Sequence, residues 1–171
     1  VSNVVNMCLM FRNAERFNQP INSWDVSSVI LMCDLFYDAH DFNQPLNNWD
    51  VSNVRTMKYM FSNAINFNQP LNSWDVSRVL DMGSMFAGTV NFNQPLNNWA
   101  VDSVLFFDSM FKGGDFNQPL SNWNVSSAMV LSYMFSETAN FDQPINNWNV
   151  SSATTLSFMF YKARQFNQPL D

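Results

Sequence analysis

Phe17-Asn18-Gln19-Pro20-Ile21-Asn22-Ser23-Trp24-Asp25-Val26-Ser27 returns as Phe42-Asn43-Gln44-Pro45-Leu46-Asn47-Asn48-Trp49-Asp50-Val51-Ser52. All seven prolines lie in this string, and each of the six tryptophans follows its proline by four residues. Fourteen of the seventeen phenylalanines fall into two columns, Phe11 with Phe36, Phe61, Phe86, Phe111, Phe135 and Phe160, and Phe17 with Phe42, Phe67, Phe92, Phe116, Phe141 and Phe166. The step is 25 residues throughout, except for one of 24 between Phe92 and Phe116. Below, a column is numbered after its residue in the first unit, so that column 11 is Phe11 and its equivalents.

A unit this short cannot bury its own apolar face and becomes stable only by stacking on a neighbour that presents the same residues. The expected architecture is one solenoid over residues 1–171 of about seven coils. Within a coil, Val4, Met7, Met10, Phe11, Ala14 and Phe17 recur at the three- and four-residue steps of a helical face. Ser2, Ser27 and Ser52 stand where an N-cap would, Asp25, Asp50 and Asp75 just before it. Asn18-Gln19-Pro20 ends the run, because proline disfavours helical geometry in the preceding residue. The fold class expected is therefore an α/β repeat, one short helix and one short strand per coil with a parallel sheet along the axis, and an all-β solenoid is the alternative. Stacking sets like residues about 4.8 Å apart. Phenylalanine, methionine, leucine and tryptophan columns should form the core, with the Asn18 and Gln19 amides satisfying turn backbone.

Composition narrows the functions. The chain is 47% hydrophobic, enough for a core, but only 13% charged, and its net charge of −6 argues against a nucleic-acid binder that uses a basic face. No apolar run approaches a membrane span. His40 is the only histidine, so any catalytic triad would have to centre on it, and a solvated turn residue is the simpler reading. Four glycines make no phosphate-cradling motif. No cofactor or metal is expected: Asp25, Asp50 and Asp75 could bring carboxylates together for calcium, yet Ala100 and Asn124 break the series and capping explains the acids. Cys8 and Cys33 share a column in adjacent coils, within reach of a disulfide, with two half-buried thiols the favoured reading. Asn124-Val125-Ser126 and Asn149-Val150-Ser151 match the N-glycosylation pattern as simple Asp-to-Asn versions of the repeat. Column 5 (Val5, Ile30, Arg55, Leu80, Leu105, Met129, Thr154) is mostly apolar, expected as a second core layer, with an exposed stripe meeting another subunit as the alternative.

The string FNQPLNNWDVSNV followed by xxMxxMFxxA resembles the bacterial surface-protein repeats related to BspA-like leucine-rich repeats, as in mycoplasma lipoproteins. The resemblance spans the chain and implies a leucine-rich-repeat-like coil on a secreted or surface-exposed protein with a role in adhesion or recognition. It supplies no catalytic residue.

The function expected is a non-enzymatic, surface-exposed module, extracellular or at the cell surface, that recognises a protein or a glycan. A structural spacer or assembly component of a cell-surface layer, filament or virion is the rival; ice binding is disfavoured by the lack of a threonine column. Specificity should lie where the repeats differ, at Arg12, Arg16, Tyr37, His40, Arg55, Lys58, Tyr59, Tyr133, Tyr161 and Lys162. The chain opens in mid-unit and closes without a polar cap, which suggests a fragment of a longer array or end-to-end stacking; lateral self-assembly is also expected to be open to it.

Overall fold

Each coil divides its backbone N–H groups between itself and its neighbours. In the computed structural model, which describes residues 1–170, Met7, Leu9, Phe11 and Asn13 donate to the carbonyls of Leu31, Cys33, Leu35 and Tyr37 in the next coil at 2.7–3.0 Å. Between them, Met10, Arg12 and Ala14 donate to the carbonyls of Met7, Leu9 and Phe11, three residues back. The third coil repeats this: Met57, Tyr59, Phe61 and Asn63 bond forward to Asp81, Gly83, Met85 and Ala87.

This pattern overturns the expected helix. Among the described residues there is no helix at all, and columns 7–13 form tandem turns. Columns 9 and 13 hold positive φ in coil after coil, as at Leu9 (68°), Asn13 (60°), Tyr59 (56°), Asn63 (57°), Tyr133 (60°) and Glu137 (62°). A right-handed helix cannot pass through a left-handed residue every fourth position, and its i→i−4 bonds are replaced here by i→i−3 turns and bonds to the neighbour. Tandem turns place apolar side chains at the same three-residue steps, which is why the spacing reads as helical. The left-handed residues cost roughly 1–2 kcal/mol each. Bonds to the next coil through their own N–H groups offset that cost.

The expected strand is also reduced, which corrects the α/β and the all-β readings together. One residue per coil forms a parallel bridge, in the series Asn6, Leu31, Thr56, Asp81, Phe106, Val130 and Thr155. Beside it runs a ladder in column 5, where Ile30 donates to Val5, Arg55 to Ile30, Leu80 to Arg55 and Leu105 to Leu80 at 2.8–2.9 Å. Ser2, Ser27 and Ser52 have no helix to cap. Instead the Asp25 carboxylate accepts the Ser27 hydroxyl and N–H at 2.6 and 3.1 Å, and these bonds, the hydroxyl's foremost, hold its pKa below the usual carboxylate value.

The core consists of files of identical rings. Phe36, Phe61 and Phe86 are buried and stack at 5.5–5.6 Å, and each lies about 4 Å from the second phenylalanine of its own coil, Phe42, Phe67 or Phe92. Trp99, Trp123 and Trp148 stack at 6.4 Å. The indole N–H groups of Trp49, Trp74, Trp99, Trp123 and Trp148 donate to the column-21 carbonyl of the coil before. The Asn18 amide oxygen accepts the Asn43 N–H at 3.0 Å and the Gln44 side chain at 2.9 Å, and Asn43, Asn68, Asn93 and Asn117 repeat the motif. The amides therefore staple each turn to the one above it, satisfying main-chain N–H groups that burial would otherwise orphan.

Two local expectations need revision. Cys8 and Cys33 are bonded as a disulfide, with Cα atoms 4.6 Å apart, the step between coils. Column 5 is no second core layer: Val5 is 49% exposed and Ile30, Leu80 and Met129 are each 40% exposed. Gly113 holds positive φ (70°), as column 13 does in general. Gly114 does meet the shortened turn: a Cβ there would approach the Thr89 carbonyl oxygen at 3.3 Å.

Candidate functional site

Columns 10, 11 and 14 turn inward, as buried Met60, Phe61 and Ala64 illustrate. Columns 9, 12 and 13 run along the edge formed by the tandem turns, where the variable residues accumulate; small ones such as Ser62, Ser84 and Ser136 are buried, whereas Arg12, Tyr133, Phe158 and Tyr161 are exposed. Register makes residues on consecutive coils into neighbours. Arg12 and Tyr37 share column 12, and the guanidinium lies 4.4 Å from the centre of the Tyr37 ring. The same guanidinium donates to Asp34 at 2.6 Å. Tyr37 meets Tyr59 of the third coil edge-to-face at 6.2 Å, and the Lys58 ammonium stands 5.5 Å from the Tyr59 ring centre. Arg12, Asp34, Tyr37 and Tyr59 line an open cleft of about 420 Å³.

Four of the ten residues singled out from sequence thus converge: Arg12, Tyr37, Lys58 and Tyr59. Asp34 was missed. It shares column 9 with Tyr59, and it fixes the Arg12 fork over the Tyr37 ring.

A second group, Tyr133, Tyr161 and Lys162, gathers three coils further on. Tyr133 stacks on Phe158 at 4.9 Å, Phe158 meets Tyr161 edge-to-face at 5.9 Å, and Lys112 and Lys162 lie 5.5 and 5.0 Å from the Tyr133 and Tyr161 rings. Lys112, another position where the repeats differ, and Phe158 complete it; Phe158 was not among the candidates. Between the clusters columns 9 and 13 carry small residues, Ser84, Gly88, Ser109 and Gly113, and Tyr59 and Tyr133 stand about 14 Å apart at the usual spacing of paired backbone. Arg16, His40 and Arg55 join neither cluster; Arg55 lies in column 5, where its guanidinium reaches the Arg78 carbonyl at 3.4 Å.

Nothing in this arrangement pairs a nucleophile with a base. Among the described residues no three His, Cys, Asp or Glu side chains come together as metal ligands, and no helix is long and apolar enough to cross a membrane. A second cavity, of about 370 Å³, is lined by Ile145, Trp148, Leu156, Phe158, Met159 and Leu170. Most of these occupy columns that elsewhere contact the following coil, so it is a cross-section of the core.

A stack of short coils with an outward edge of variable side chains defines a repeat protein. Its sequence matches a family described as "Mycoplasma protein of unknown function, DUF285" over residues 1–94, 44–115 and 81–171, and the chain belongs to that family. No curated protein and no solved structure matches it.

Proposed function

We propose that the chain is a non-enzymatic recognition module, displayed outside the cell or on its surface, that attaches to a macromolecule through the tyrosine-rich edge of its coils. One observation carries this reading: Arg12, Asp34, Tyr37 and Tyr59, drawn from three coils, line one open cleft, with the Lys58 ammonium against the Tyr59 ring. Tyrosine and arginine are the residues most enriched where protein partners bind tightly, because they offer wide contact area with few rotors to freeze. A protein partner is thus the leading occupant, and a glycan lying across the same rings the alternative. The resemblance to BspA-like surface proteins, with its implied adhesive role, belongs to this proposal. The spacer reading draws support from the near-identity of columns 17–24 in the first six coils.

The test is to probe arrays of immobilised proteins and of glycans with the chain and with a Tyr37→Ala/Tyr59→Ala variant. Recognition predicts features bound by the first and lost by the second at unchanged melting temperature. Equal signals, or none on either array, would favour the spacer.

A further inference from the structure

Apart from the main chain, one covalent bond ties coil to coil, and it crosses the joint on which the cleft depends. Cys8 and Cys33 link the first and second coils in column 8. Four residues after Cys8, Arg12 crosses the same joint to reach the Asp34 carboxylate and the Tyr37 ring. Of the residues lining the cleft, Arg12 alone comes from the first coil, Asp34 and Tyr37 from the second and Tyr59 from the third. Both cysteines are half-buried on this edge, within reach of a small reductant.

Column 8 is built differently at this joint. In the third and fourth coils its N–H is satisfied within the coil, by Thr56 Oγ1 at 3.3 Å and by the Asp81 carboxylate at 2.8 Å. The second coil has Leu31 in column 6, which offers no side-chain acceptor, and the Cys33 N–H donates to Cys8 Sγ at 3.2 Å instead. The main-chain bonds across the joint, from Met7, Leu9, Phe11 and Asn13, match those made by the third coil. The sulfur bridge is therefore what sets the joint apart. Stacked repeats open locally, at the joint between one coil and the next. A cross-link between residues 25 apart restricts the opened chain, and on loop-closure entropy its loss raises the opened population by on the order of a hundredfold.

We propose that the Cys8–Cys33 disulfide is a redox clamp on the recognition cleft. Oxidised, it holds the first coil on the second, so that Arg12 stays against Asp34 and Tyr37. Reduced, it lets the first coil open and withdraws the guanidinium from the cleft, while the later coils remain stacked. A dithiol performs the step: it supplies two electrons and two protons, closes its own disulfide and leaves Cys8 and Cys33 as thiols. The clamp's bearing on attachment rests on the cleft being the surface that meets a partner. Disulfides persist in oxidising compartments, so the clamp is closed outside the cell, where that reading places the chain, and slack in a reducing cytosol.

Amide hydrogen exchange on the whole chain, oxidised and reduced with dithiothreitol, tests the clamp, alongside a Cys8→Ser/Cys33→Ser variant. On reduction the Leu9, Phe11 and Asn13 amides should exchange about a hundredfold faster, and those of Tyr59, Phe61 and Asn63 at an unchanged rate. The double-serine variant should match the reduced chain and ignore the reductant. The Arg12 side-chain N–H signal in NMR spectra, displaced by the Tyr37 ring, should move on reduction to the position of a free arginine; a merely structural bridge would leave it in place. On the protein and glycan arrays, features bound through Tyr37 and Tyr59 should fade with the double-serine variant. Arrays blank with the oxidised chain refute the recognition reading, and the clamp is then decided by exchange and the Arg12 signal. First-coil amides still protected after reduction, an unmoved Arg12 signal, protection lost in all coils alike, or array features that the double-serine variant binds undiminished would each overturn the proposal.

Discussion

The indole N–H of Trp74 donates to the Leu46 carbonyl one coil away at 3.0 Å, and the same oxygen accepts the main-chain N–H of Trp49 at 3.1 Å. Each tryptophan thus packs as a ring and bonds as a bracket. Because Leu46 keeps one partner, Trp74→Phe should cost only about 1–2 kcal/mol, the bond and a little volume. Trp74→Ala opens a cavity in a buried file and should cost about 3–5 kcal/mol. Denaturant melts of both variants measure the difference; equal losses would mean that the bracket, not the ring, dominates.

The column-18 amide is replaceable by a carboxylate, and the chain already contains the experiment. Asp142 accepts the Asn167 N–H at 2.9 Å and the Gln168 amide at 2.9 Å, which hold its pKa below the usual value, the main-chain bond contributing most. A depressed carboxyl stabilises the fold above the unfolded pKa of about 4 and loses that contribution as pH falls through the folded value. Asn43→Asp should therefore melt like the parent at neutral pH and lower below about pH 3. Asn43→Ala leaves the Asn68 N–H and the Gln69 amide without their acceptor and should cost about 1–3 kcal/mol at any pH.

Asp81 has the opposite sign. Burial raises its pKa, outweighing the Gly83 N–H and the nearby Lys58, while Asp108 adds to the rise. Ionisation thus weakens the fold: the benefit of the protonated form is full below about pH 4 and is lost as pH rises through the folded value. Asp81→Asn, which keeps an acceptor for Gly83, should raise the melting temperature at neutral pH in dilute samples, and the gain should vanish at about pH 3. A gain that persists in acid would put its origin elsewhere than in charge.

Column 13 demands positive φ whatever residue fills it. At Gly113 the φ is 70° and a side chain would meet nothing within 4 Å, so Gly113→Asn should be nearly neutral. Gly113→Val, β-branched in a left-handed position, should cost more than about 1 kcal/mol. At Ser109 in column 9, φ 57°, replacement by glycine should leave stability equal or improve it. Thermal melts of the three variants rank them; a neutral Gly113→Val would contradict the turn.

Much of the interior was legible because repetition encodes it. The phenylalanine files, the inward methionines and the tryptophan column follow from register alone. The turns were not legible, since Tyr59, Ser109 and Glu137 carry no mark of a left-handed backbone; their conformation is imposed by the neighbouring coil. Helix and tandem turn share a three-residue step, and only the destination of each N–H separates them. The cleft was half legible: Arg12, Tyr37 and Tyr59 stood out as departures from the repeat, whereas Asp34 acts through Arg12. Column 5 misled because apolar residues there face outward from the bonded ladder.

One consequence of the divided hydrogen bonds concerns length. In the third coil four main-chain N–H groups, of Met57, Tyr59, Phe61 and Asn63, point toward the later coil. Those of Arg55, Asn66 and Asn68, with the Gln69 amide and the Trp74 indole, point toward the earlier one. Their dipoles oppose, unlike those of an α-helix, which add head to tail into a charge at each terminus. Further coils of this kind would extend the fibre without electrostatic polarisation growing along it.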